Sequence, residues 1–142
     1  MNQKRDKPGV GVVDDKLFVI GGFDGEQHLK TIEVYSEKTK RWEMMKVTMK
    51  TGRSEMGVAV IGDLIFIIGG WNGRSVVVGE VEVMNTTTQT METLTRNPTG
   101  RRGMEVGVVD DRFIWTFGGD DGDKVDDVIE MCDIKKQESG RH

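Results

Sequence analysis

Short apolar runs separated by Asp- and Gly-rich turns set the rhythm of this chain. Each is between three and six residues long and rich in Val, Ile and Phe, which predicts β-strands and leaves no room for a typical helix. Strands are expected at Val10–Val13, Lys16–Ile20, Thr31–Tyr35 and Arg41–Met45, with tight turns at Asp14-Asp15 and at Lys38-Thr39-Lys40. A second group follows at Val58–Ile61, Leu64–Ile68, Glu80–Met84 and Gln89–Leu94. A third falls at Gly107–Val109, Arg112–Phe117 and Asp127–Cys132. A fourth strand in this last group would lie within Lys136–Gly140, a charged segment with no apolar pattern, so the last unit reads as weak or cut short.

The grouping is a true internal repeat. Val10 to Gly25 (VGVVDDKLFVIGGFDG) recurs as Val58 to Gly73 (VAVIGDLIFIIGGWNG) and as Gly107 to Gly122 (GVVDDRFIWTFGGDDG). The doublets Gly21-Gly22, Gly69-Gly70 and Gly118-Gly119 lie 48 and 49 residues apart, and an arginine stands 16 residues before each, at Arg5, Arg53 and Arg102. The repeats accordingly run over about 5–52, 53–101 and 102–142. A fixed period of this length is the mark of stacked supersecondary units that cannot bury their apolar faces alone.

Three copies in register of a Gly-Gly doublet after an apolar strand and of the Asp/Asn-Gly that follows it, with an aromatic pair (Tyr35 and Trp42) in the first, resemble the kelch repeat. The match runs from Arg5 to about Cys132, and the pair fades to Met84 and Met91 and then to Cys132 and Ser139. The resemblance implies an all-β fold: a partial β-propeller of about three four-stranded antiparallel blades, the third incomplete. The residues agree with it. Small residues at the innermost strand (Gly9, Gly11, Gly57, Ala59, Gly107) suit convergence on an axis, and Leu17–Ile20 and Leu64–Ile68 suit a strand covered on both faces. The Gly-His and Trp-Asp dipeptides of WD-repeat propellers are absent.

Composition narrows the function. Glycine is abundant (19) while proline is scarce (2), which fits a turn-rich folded chain better than a disordered or collagen-like one. A net charge of −4 from 20 basic and 24 acidic residues argues against a nucleic-acid partner. The single cysteine, Cys132, excludes an internal disulfide, and no run of 18 apolar residues marks a membrane span, so a cytoplasmic location is expected. Cys132 aligns with Tyr35 and is read as a buried packing residue.

In an up-and-down blade, the entry to the first strand and the loop between the second and third share one face. That face collects Arg5, Arg53 and Arg102 with the loops Phe23–Lys30, Trp71–Gly79 and Asp120–Asp126, and hence His28, Trp71, Asn72, Arg74 and Asp121 as candidate partner-binding residues. The resemblance is greatest to BTB-kelch proteins, in which arginines ahead of the first strand and polar residues of these loops bind partner proteins. It implies a protein-protein interaction module, in its sharper form the substrate-recognition portion of a cullin-RING ubiquitin ligase adaptor. The BTB and BACK regions are missing, so a fragment, a truncated product or a stand-alone competitor is expected. Binding of actin or the cytoskeleton is the alternative. For each arginine a second role competes: pairing with an acidic neighbour to hold the loop. Trp71 could likewise anchor a partner or pack under its own loop.

Asp120 to Glu130 holds six acids against Lys124, without the ladder of a calcium loop, and reads as a solvated turn. Catalysis has little to stand on. His28 and His142 are the only histidines and Tyr35 the only tyrosine, against the several ligands of a kelch-type copper oxidase, so no catalytic residue, metal or cofactor is expected. Propellers generally close with four to eight blades. Three would leave apolar end faces exposed, predicting either self-association into a two-fold, six-blade ring or marginal stability.

Overall fold

The computed structural model describes residues 1–76, 80–95, 101–120 and 129–135. Among them, eleven strands form three antiparallel sheets, so the fold is all-β with three blades of four, four and three strands. The first blade contains β1 (Gly9–Val13), β2 (Lys16–Ile20), β3 (Ile32–Ser36) and β4 (Arg41–Met44) in that spatial order. The second contains β5 (Gly57–Ile61), β6 (Leu64–Ile68), β7 (Glu80–Asn85) and β8 (Thr90–Thr95). The third contains β9 (Glu105–Val109), β10 (Phe113–Phe117) and β11 (Ile129–Asp133). The expected fourth strand within 136–140, the acidic segment 121–128 with Asp121, and Ser139 and His142 lie outside the described residues.

Register makes the repeats superimposable. Leu17, Ile65 and Ile114 pair with Tyr35, Met84 and Cys132, and Tyr35 and Met84 pair onward with Trp42 and Met91. The Tyr35 and Trp42 ring centroids are 5.2 Å apart. Cys132 is half-buried against the core rather than fully enclosed. The hairpins between the first two strands are closed by two residues in blades one and two (Asp14-Asp15, Gly62-Asp63) but by three in blade three (Asp110-Asp111-Arg112). Positive φ at Asp14, Gly62, Asp110 and Asp111 falls on residue types that tolerate it.

Two apolar cores fill the spaces between blades. Phe18, Ile20 and Ile32 of the first blade meet Ile65, Ile67 and Met84 of the second. Phe66, Ile68, Val81 and Val83 of the second meet Met104 and Ile114 of the third. Near the axis, where the first strands converge, side chains are small. A Cβ on Gly9 would stand 2.7 Å from Val58, and one on Gly57 would stand 2.6 Å from Val106. Glycine therefore sets how closely neighbouring blades approach.

The doublets are the joints between blades. Gly21 and Gly22 have φ of 62° and 100°, and Gly69 and Gly70 have 64° and 107°, a backbone few other residues adopt. The second N–H of each doublet donates to the next blade: Gly22 to the Arg53 carbonyl at 2.8 Å and Gly70 to the Arg101 carbonyl at 2.9 Å. A Cβ on Gly21 would lie 2.4 Å from that same Arg53 oxygen, and one on Gly69 would lie 2.4 Å from the Arg101 oxygen.

Candidate functional site

The arginines ahead of the first strands turn inward. Arg5 is buried, its Nε donating to Glu33 at 2.9 Å and its Nη1 to the Gly21 carbonyl at 2.7 Å. Arg53 is buried likewise, donating from Nη2 to Glu82 and from Nη1 to the Gly69 carbonyl at 2.9 Å. In the third blade the place belongs to Arg101, which donates to Glu130 at 2.7 Å and to the Gly118 carbonyl at 2.6 Å. Counting 16 residues back from the doublet points to Arg102, because the third hairpin is one residue longer and shifts the doublet away from the buried arginine. The spacing Arg53-Ser54-Glu55-Met56 against Arg101-Arg102-Gly103-Met104 carries the correct register.

Side chains and backbone thus alternate in a relay across the molecule. The Arg5 guanidinium holds the Gly21 carbonyl, Gly22 N–H holds the Arg53 carbonyl, and the Arg53 guanidinium holds the Gly69 carbonyl. Gly70 N–H then holds the Arg101 carbonyl, and Arg101 the Gly118 carbonyl. Burial opposes ionisation of Glu33. The Asn2 backbone N–H and the Arg5 guanidinium outweigh it and hold the Glu33 pKa below the ordinary glutamate range. Glu33 and Glu82 escaped the sequence analysis, and Glu130, read there as part of a solvated turn, instead lies in β11 and pairs with Arg101; the signal was present in the recurring acid of each third strand.

With Arg5 and Arg53 committed internally, the accessible chemistry of the loop face passes to the residues beside them. Asp6, Ser54 and Arg102 occupy equivalent places, each bridging to the residue after a doublet: Phe23, Trp71 and Asp120. Phe23 packs its ring 4.8 Å from His28. The half-exposed Arg102 stacks its guanidinium 4.3 Å from the centre of the Trp71 ring, within reach of Glu55 at 3.9 Å and Asp120 at 3.8 Å. Trp71 itself is half-buried and lines the open depressions on this face.

The loops carrying these groups are braced by one recurring turn. Asp24 accepts the N–H groups of Glu26 and Gln27, both at 2.8 Å, and Asn72 accepts those of Arg74 and Ser75 at 2.8 and 2.9 Å. The bonds from Gln27 and Glu26 also hold the Asp24 carboxyl below the usual aspartate range. Asn72 is therefore a brace, while Arg74 is exposed. His28 lies against the neighbouring loop, 3.1 Å from where a Cβ on Gly73 would stand. Between the two loops is an open depression of about 770 Å³ lined by Phe23, His28, Trp71 and Arg74. A smaller one of about 220 Å³ adjoins it between Asp6, Glu55 and Arg102, and the two share Phe23, His28 and Trp71 as a ridge. The arrangement offers an aromatic ridge with Arg74 in the depression on one side and Arg102 in the depression on the other. Among the described residues it brings together no group of three or more metal-ligating side chains.

The matched repeats, sheet topology and joint geometry all agree with one family. Residues 2–138 match the family described as the KLHDC2/KLHL20/DRC7 kelch-repeats domain. This chain belongs to the kelch-repeat family. Kelch-repeat domains are generally non-catalytic protein-protein interaction modules. A segment of 38 residues is also 50% identical to the immune evasion protein OPG047 of vaccinia virus, in both the Ankara and the Western Reserve strains. That segment is 27% of this chain and 8% of the viral protein, so the chain spans only a small part of the curated relatives it matches. No helix among the described residues is long and apolar enough to cross a membrane.

Proposed function

We propose that the loop face of this kelch chain binds a partner protein through the ridge of Phe23, His28 and Trp71, with Arg102 and Arg74 in the depressions on either side. The observation that carries this is the Arg102–Trp71 stack, a half-exposed cation and aromatic pair of the kind that dominates binding energy at protein interfaces, set on loops fixed by buried joints. Arg5 and Arg53 support the surface from below by holding its loops to the blades. In its sharper form the partner is a degradation substrate, and the chain is the substrate-recognition portion of a cullin-RING ubiquitin ligase adaptor acting in the cytoplasm without a cofactor or a catalytic step of its own.

Affinity capture from cytosol with the natural chain and with Trp71→Ala plus Arg102→Ala tests the face. Loss of the captured proteins in the double variant, with its melting transition kept, is expected; equal recovery of every one of them overturns the proposal. Proteasome inhibition separates the sharper form: a true degradation substrate accumulates when the proteasome is blocked, and a captured protein whose level is unchanged counts against the adaptor role. Co-sedimentation with filamentous actin that is lost in the double variant would assign the same face to the cytoskeleton instead.

A further inference from the structure

The two ends of the blade array are complementary halves of an interface that the molecule already builds twice. The blade-one face turned toward blade two buries Phe18, Ile20 and Ile32 at 3%, 0% and 0% exposure. The register equivalents in blade three, Trp115, Phe117 and Ile129, face away from blade two; Phe117 and Ile129 are 42% and 59% exposed, and their neighbour Met131 is 48% exposed. At the other end, Val10 and Val12 are 51% and 60% exposed. Their equivalents Val58 and Val60 are the side chains that enter the spaces above Gly9 and Gly11.

We infer that the open face of blade three takes blade one of a second copy of this chain, and that two such contacts related by a two-fold axis close a six-blade ring. Continuity with the existing joints argues for this occupant. Gly118 and Gly119 hold φ of 66° and 97°, the conformation in which the other doublets donate to the arginine carbonyl of the next blade. Gly119 N–H so placed would meet the Arg5 carbonyl of the second copy. Gly107 supplies the axial space, with only Phe117 within 4 Å of a Cβ built there. One position departs from the pattern. Glu105 stands where Gly9 and Gly57 admit Val58 with Met56 and Val106 with Met104, so Val10 and Pro8 of the second copy would meet its side chain, and the blades must stand further apart at that point.

Sedimentation of the 142-residue chain across a range of concentrations tests the ring. A dimer of twice 15.9 kDa is expected. Val12→Lys and Met131→Lys lie on exposed strand positions on opposite ends, and each alone is expected to weaken dimerisation by about 100-fold or more by placing an unpaired charge in both contacts. Mixed together, the two variants retain one undamaged contact and are expected to form a mixed dimer that neither forms alone. A well-folded monomer for the natural chain overturns the inference, as does an open-ended series of larger species. A dimer that survives Val12→Lys overturns it too, because a contact between two blade-three faces would ignore that change. Circular dichroism of each variant confirms that association, not folding, is being read.

Discussion

The arginine–glutamate pairs show how a residue that is exposed by type becomes structural by position. Arg53 and Glu82 are each about 1% exposed, so neither charge is tolerable without the other. Arg53→Ala is expected to destabilise the chain by about 3–5 kcal/mol, because it leaves Glu82 buried and cuts the Gly69 joint at once. Urea unfolding reads that loss, and a loss below about 1 kcal/mol would mean the pair is a surface ornament. Glu33 gives the pH dependence. Its folded pKa lies below the ordinary 4.5, so the unfolded chain binds the proton more readily. The stability it contributes is present above that ordinary value and is lost as pH falls through the folded one. Glu33→Gln is expected to flatten the fall in melting temperature below about pH 4.5.

At the scale of the element, the doublet joins one blade to the next rather than merely ending a strand. Gly21→Ala is expected to cost more than about 3 kcal/mol, because positive φ and a Cβ at 2.4 Å from the Arg53 carbonyl act together. Gly25→Ala carries the backbone strain alone, since nothing lies within 4 Å of its Cβ, and about 1–2 kcal/mol is expected. Thermal melts of the two variants compare the terms directly; equal losses would remove the close approach from the account. The doublets were legible in the sequence by their repetition, but their role as donors across the joint was not, because the acceptor lies 31 residues further on and only blade stacking brings it near. The same limit hid the third buried arginine. Counting from the doublet assumes constant hairpins, and the Asp110-Asp111-Arg112 loop breaks that assumption by one residue.

Across the whole molecule, stability is distributed by how many neighbours a blade has. Blade two is covered on both faces, and β6 is buried from Ile65 through Ile68. In β10 burial alternates, because one face of blade three meets blade two and the other is open. Native-state hydrogen exchange is accordingly expected to protect the amides of β6 most strongly and to release those of β9–β11 first in the monomer. Uniform protection across the three sheets would show that they unfold as one unit. The depressions of the loop face lie over the joint between blades one and two, where an apolar core packs the two blades together.

The sequence by itself determined the strands, the three units, the kelch fold and the loops that share a face, because these follow from local patterning and from a period that repeats. Only the tertiary structure decided which charges are available. An arginine four residues before a strand reads the same whether it points to solvent or to a glutamate 28 residues away, as Arg5 does toward Glu33. Stacking sends Arg5, Arg53 and Arg101 into the joints and leaves Arg102 beside Trp71, since burial of a charge depends on the partner that packing delivers and not on the residues adjacent in the chain.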